Sequence, residues 1–264
     1  MEHRVRKCAQ PINLIHEPRA EYAVIAFHGY SGYPGELALI AKLLFESGYD
    51  VFVPRYPGHG TDGEDFAATD RSMWVEHALR SYELINGKYK SISAVGHSMG
   101  GLIALKVASL CDIPSMVLYA PALLLQKKIP VNLFSFLSHF SKRKAVEWER
   151  DPRFPFFDQR DDDDDEFLGK EYWSFIYFRQ IAELEKLRKE VLQLVDSIDS
   201  RILVFTGGED TTVDRKVGEL LTEGTKGKDN RWIHLPKATH LICYDKDDVS
   251  RELAMTESIN FLTP

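Results

Sequence analysis

The sequence predicts an α/β domain: a mostly parallel central sheet with helices on both faces and one inserted cap. Three observations carry that prediction. Continuous apolar runs of strand length, such as Ala23-Val24-Ile25-Ala26-Phe27, suit strands buried on both faces of a parallel sheet. They alternate with segments of helical periodicity, the pattern of strand-helix-strand units. The alternation breaks once, between about 121 and 200, and then resumes.

Length and charge narrow the possibilities. A chain of 264 residues holds one substantial α/β domain with an insertion and is short for two catalytic domains. A net charge of −7 lacks the basic footprint of a nucleic-acid binder. No apolar stretch approaches the length of a membrane span, and Met1 to Lys7 lacks the hydrophobic segment of a signal peptide. The expectation is a cytoplasmic protein without stable membrane insertion, its oligomeric state left open. Cys8, Cys111 and Cys243 are odd in number and widely spaced, which argues for free thiols and against a disulfide framework or a cysteine zinc site.

The elements follow in order. After Ala23 to Phe27 comes a loop, His28-Gly29-Tyr30-Ser31-Gly32, and then a helix from about Leu37 to Glu46, with Gly48 as its stop. Val51 to Val53 is the next strand. The loop Pro54 to Gly60 leads towards a helix from about Ser72 to Ile85. Ser91 to Gly101 reads as strand, sharp turn and helix, the helix closing from Leu102 to Leu110. Strands follow at Met116 to Ala120, Ile202 to Thr206 and Trp232 to Leu235, and a last helix covers about Ser250 to Phe261. Residues 1–120 and 201–264 therefore form the core, and 121–200 the insertion.

The insertion holds 13 of the chain's 30 aromatic residues, so an apolar roof over a substrate pocket is the expected role. A helical packing extension without a part in binding is the alternative. Within it, Asp161 to Asp165 followed by Glu166 should repel itself into an exposed loop. Adjacent aspartates lack the alternating spacing of calcium loops, so no metal site is expected there. Ile181 to Val195 has the spacing of a helix that returns the chain to the sheet.

Gly96-His97-Ser98-Met99-Gly100 carries the pattern Gly-x-Ser-x-Gly between a strand and a helix, the setting of a nucleophile elbow. Without a Cβ, Gly96 and Gly100 let strand and helix approach and leave the Ser98 hydroxyl at the tip of a strained turn. An ordinary turn with Ser98 as helix cap is the alternative reading. A serine hydroxyl needs a base to take its proton, and that base needs a third group to fix its tautomer. Asp210 lies in a tight loop just past one strand and His240 in a loop past the next. The order Ser98, Asp210, His240 is that of α/β-hydrolases. Glu209 and Asp214 are weaker candidates for the acid, and His234 sits inside a strand.

A tetrahedral intermediate also needs hydrogen-bond donors. The backbone N–H groups of Met99 and Tyr30 are assigned to that oxyanion hole. His28, Gly29 and His59 are candidate substrate-binding positions shaping the pocket edge, with a buried structural histidine the alternative for His28. His97 is expected to point away from Ser98 and pack.

The set His28-Gly29-Tyr30, Pro57-Gly58-His59-Gly60, Gly96 to Gly100, Gly207 to Val213 and Thr239-His240 resembles the α/β-hydrolase carboxylesterases of the monoacylglycerol lipase and thermostable bacterial esterase type. The resemblance runs from about Tyr22 to Leu262 and is poor in the insertion. It implies hydrolysis of small-molecule carboxylic esters, of short or medium acyl chains or monoacylglycerols, without metal or organic cofactor. It departs at Tyr30, where phenylalanine is common, and at the acidic run. A thioesterase, peptidase or carbon–carbon hydrolase would use the same three groups, and a non-catalytic ligand-binding protein would merely retain the fold.

Overall fold

The computed structural model describes residues 3–263. In chain order the elements are β1 (Ile12–Leu14), β2 (Tyr22–Phe27), α1 (Ala38–Glu46), β3 (Asp50–Val53), α2 (Gly63–Ala68), α3 (Arg71–Ile85), β4 (Ser91–His97), α4 (Met99–Ala108) and β5 (Ser115–Tyr119). The insertion contributes α5 (Val131–Leu137), β6 (Arg143–Ala145), α6 (Asp164–Leu168), β7 (Phe175–Tyr177) and α7 (Phe178–Leu192). The core closes with β8 (Arg201–Gly207), α8 (Val217–Gly224), β9 (Arg231–Leu235) and α9 (Asp248–Leu262).

Seven strands form one sheet in the order β1-β3-β2-β4-β5-β8-β9, every pairing parallel except that of β1 with β3. The expected mostly parallel sheet is therefore present. Alternate residues of one strand point to opposite faces, and β2 divides accordingly. Ala23, Ile25 and Phe27 join a core with Trp74, Leu102 and Leu187, from α3, α4 and α7. Val24 and Ala26 join a second core with Ile40, Leu44 and Phe261, from α1 and α9. Burial on both faces is why these strands read as unbroken apolar runs rather than alternating ones.

Short elements such as β1 and α2 escape the sequence pattern. The three residues of β1 are too few to show a period, and their antiparallel pairing closes the sheet edge. The short α2 is set by its cap, since the Asp62 carboxylate accepts the N–H groups of Glu64 and Asp65.

The acidic run corrects an expectation. It is not a solvated loop, because Asp164 opens α6 with its side chain fully buried. Its Oδ1 accepts Arg6 Nε at 2.6 Å, and Oδ2 accepts the N–H groups of Asp161 at 3.0 Å and Cys8 at 3.3 Å. Arg6 also reaches Asp163, Arg4 pairs with Asp161, and Arg160 with Asp165. Arg4 and Arg6, distant in sequence, thus join the adjacent Arg160 in countering the run and tie the amino-terminal segment to the insertion.

Candidate active site

Strands β2, β4, β8 and β9 deliver their carboxyl ends to one edge of the sheet, where parallel α/β folds bind ligands. At the end of β4 the chain reverses at Ser98, whose backbone stands at φ 53° and ψ −114°. That conformation is rare for a residue with a side chain and persists only where the surroundings fix it. They do so by proximity: a Cβ on Gly100 would lie 1.8 Å from the Phe27 carbonyl oxygen, and one on Gly96 2.6 Å from that of Gly100. Only glycines let α4 start this close to β2 and β4.

The structure brings three of the sequence candidates together. Ser98 Oγ lies 2.9 Å from His240 Nε2, and His240 Nδ1 lies 2.8 Å from Asp210 Oδ2. The other Asp210 oxygen accepts the N–H groups of Thr212 and Val213 at 2.7 and 2.9 Å. Burial alone would raise the Asp210 carboxyl. The His240 hydrogen bond and charge, with the two backbone N–H groups, outweigh burial and hold it below the usual carboxylate range. Of the rival acids, Glu209 is exposed, and Asp214 accepts the N–H of Lys216. His234 meets Thr206 Oγ1 within the sheet.

A cavity of about 390 Å³ opens over Ser98 and His240. It is lined by Gly29 and Tyr30 from the loop after β2 and by Trp148, Trp173, Phe154 and Phe156 from the insertion. Neither Met99 N–H nor Tyr30 N–H has a hydrogen-bond acceptor among the described residues. The Tyr30 ring points away from the cavity, edge-on to Phe66 and Trp74.

His28 and His59 are corrected: both are fully buried and neither lines this cavity. The loop after β2 lines the cavity from Gly29 onward, the loop of His59 does not reach it, and both rings join an aromatic cluster with Tyr56, Phe66 and Trp74. One ring nitrogen of each meets a carbonyl, Gly29 for His28 and Pro57 for His59. Burial, with the neighbouring His59, keeps His28 well below the ordinary histidine value, and burial pushes His59 down to about 3. Both are neutral structural groups.

Three contributors were not legible in the sequence. Gln126, at the start of the insertion, donates its side-chain N–H to the Asp210 carbonyl, and its backbone N–H to Thr212 at 2.9 Å. Asp245 is fully buried and accepts Thr239 N–H at 2.6 Å and Thr239 Oγ–H at 2.7 Å, which fixes the turn carrying His240. His97, expected only to pack, has Nε2 3.0 Å from the His240 carbonyl oxygen. A glutamine or aspartate in a loop carries no period or motif to reveal such a contact.

A family model described as serine aminopeptidase, S33, matches residues 18–247. The chain belongs to this Hydrolase_4 family. Two curated proteins of similar sequence are a carboxylesterase of Bacillus subtilis and a thermostable monoacylglycerol lipase of Bacillus sp. strain H-257. The first is 24% identical, covering 91% of this chain and 92% of its own. The second is 23% identical, covering 85% and 84%. A solved structure of metagenome-derived lipolytic enzymes superposes with a TM-score of 0.82 at 19% identity, covering 98% of both chains. The fold of this Hydrolase_4 member is thus that of the α/β-hydrolases.

Proposed function

We propose that this Hydrolase_4 member is a serine carboxylesterase, acting on short to medium acyl esters or monoacylglycerols. The observation that carries the reading is the hydrogen-bonded series Ser98, His240, Asp210 at the floor of an aromatic-walled cavity. Ser98 Oγ attacks the ester carbonyl while His240 Nε2 takes its proton. Asp210 fixes the Nδ1–H tautomer and balances the imidazolium that forms. The backbone N–H groups of Met99 and Tyr30 receive the developing oxyanion. His240 then returns the proton to the departing alcohol, and water enters to hydrolyse the acyl-enzyme by the same exchange. Protein groups alone carry these steps.

In this reading residues 1–120 and 201–264 are the catalytic core and 121–200 the cap, whose tryptophans and phenylalanines hold the acyl portion. Three free thiols favour the cytoplasm as its compartment. The names of the two curated relatives support ester substrates, and the family description raises an aminopeptidase reading. Of the cavity's carboxylates, Asp151 pairs with Arg153, Asp165 with Arg160, and Glu36 accepts Gly29 N–H, which leaves Glu149 as the one without a partner among the described residues. The anilide arm of the following test decides whether it receives an amino group. A panel of p-nitrophenyl esters, monoacylglycerols, thioesters and aminoacyl anilides, run on wild type and Ser98→Ala, tests the assignment. Ester turnover lost in Ser98→Ala is the expected result. Full retention of ester turnover in that variant, or preferred cleavage of the anilides, would overturn it.

A further inference from the structure

Glu36 is a buried carboxylate for which the proposed chemistry has no task. It folds back beneath the loop after β2, where Oε2 accepts Gly29 N–H at 3.1 Å and faces His97 Nδ1 at 3.5 Å. No lysine or arginine pairs with it among the described residues. The loop is shaped around it: a Cβ at position 32 would sit 2.1 Å from Glu36 Oε1.

The hydrogen bond at the other side of the ring fixes the chemistry of this contact. A carbonyl oxygen only accepts, so His97 Nε2, 3.0 Å from the His240 carbonyl oxygen, carries a hydrogen. In a neutral ring Nδ1 would then be a bare lone pair facing a carboxylate oxygen, with both groups buried. Two acceptors cannot satisfy one another, and a buried carboxylate without a countercharge is strongly disfavoured. One proton between Nδ1 and Oε2 resolves both problems, and placed on Nδ1 it also leaves Gly29 N–H an ionised acceptor and strengthens the Nε2–H bond to the His240 carbonyl.

We infer that Glu36 is a positioning residue that keeps His97 as an imidazolium, the pair clamping the oxyanion loop to the loop of His240. One end of the clamp is Gly29 N–H, next to the N–H of Tyr30. The other is the carbonyl of His240 itself. The inference rests on the proposed ester chemistry for its catalytic consequence alone.

The groups packed around the pair do not compete for its proton. His28, from the end of β2, is kept neutral by burial. Tyr33 from the same loop, Tyr56 from the loop after β3, and Cys243 and Tyr244 from the turn after His240 are all pushed up by burial, with Glu36 adding to it. They stay uncharged. The His240 ring lies 5.3 Å from that of His97, with Asp210 beyond it. Across the cavity Arg150 and Asp165 pair with each other, Asp151 pairs with Arg153, and Glu149 is exposed to solvent.

The test is nitrogen-15 NMR of the full-length protein labelled in its histidine rings, with the His97 signals identified by their loss in His97→Gln. The expected result is that both ring nitrogens of His97 carry protons at neutral pH. In Glu36→Gln the ring becomes neutral with hydrogen on Nε2, and in Glu36→Asp, which keeps the charge, the imidazolium signature returns. Glu36→Gln should also lower kcat on p-nitrophenyl butyrate roughly tenfold with little change in KM, the cost of slightly misaligned groups. A neutral His97 in the wild type, or a His97 spectrum unaltered in Glu36→Gln, overturns the inference. The wild-type spectrum decides without any variant having to fold. Should the wild type lack esterase activity, the serine-ester reading falls while the nitrogen signals still decide this point.

Discussion

Asp210 Oδ2 lies 2.8 Å from His240 Nδ1, while Oδ1 of the same carboxylate is already occupied by the N–H groups of Thr212 and Val213. This division has a consequence for Asp210→Asn. The amide oxygen must stay with the two backbone donors, so the amide nitrogen faces His240. Donor would then meet donor, and the imidazole would adopt the tautomer with hydrogen on Nε2, which cannot accept from Ser98. Esterase kcat should fall by about 10⁴-fold, the scale seen when a triad aspartate becomes asparagine. Circular dichroism should report an intact fold. A loss of less than roughly tenfold would show that Asp210 does not set the tautomer.

Arg6 and Asp164 pin the amino-terminal segment to the insertion through a 2.6 Å contact that is almost wholly buried. Arg6→Met leaves a buried carboxylate with backbone donors alone and should cost about 3–5 kcal/mol of stability at neutral pH. Burial tends to raise the Asp164 carboxyl, but the Asp161 N–H and Arg6 hold it below the usual carboxylate range. A carboxyl depressed in the folded state contributes stability above its unfolded value and loses it as pH falls through the folded value. The gap between wild type and Arg6→Met, measured by urea denaturation, should therefore hold steady from about pH 8 to 5 and narrow below about pH 4. A gap that widens on acidification would contradict the pairing.

The core and the three triad candidates were legible in the sequence because each rests on a local signal. Buried parallel strands are continuous apolar runs, and the elbow is written in Gly96, Ser98 and Gly100 themselves. Asp210 and His240 were found by their order and by their position just past strand ends. Side-chain direction was less accessible. His28 sits beside the cavity-lining loop after β2, and His59 in a loop that does not reach the cavity; both rings turn into the core, packed against Tyr56, Phe66 and Trp74. The acidic run was misread for a related reason. Its countercharges, Arg4 and Arg6, lie more than 150 residues away and reveal themselves only on folding.

Gly100 is where α4 meets the end of β2 and the loop that follows it. Alanine there would put a methyl 1.8 Å from the Phe27 carbonyl oxygen and 2.7 Å from that of His28. Neither backbone can yield without moving Gly29 and Tyr30. Gly100→Ala should destabilise the protein by about 1–3 kcal/mol or more, as overpacking does. Any folded fraction should label slowly with a fluorophosphonate, because the proposed oxyanion donors, Met99 N–H and Tyr30 N–H, would be displaced. Normal labelling would mean that the oxyanion donors lie elsewhere.

Trp148 supplies the prediction that separates a binding cap from a mere packing extension. Its ring lies 5.2 Å from that of Trp173, and it covers Gly169, where a Cβ would come within 2.0 Å of the indole. It is partly open to solvent and lines the cavity with Phe154 and Phe156, so truncation removes wall rather than core. An acetyl group at Ser98 is too short to use that wall, whereas an octanoyl chain gains by covering it. Burying two methylenes there is worth about 1.6 kcal/mol, roughly tenfold in kcat/KM. Trp148→Ala should therefore lower kcat/KM for p-nitrophenyl octanoate about tenfold and that for the acetate less than about twofold. The thermal midpoint should move little, since the ring is not part of either core cluster. Equal losses on both esters would mean that Trp148 acts on the catalytic groups, and no loss on either would make the insertion a packing element after all.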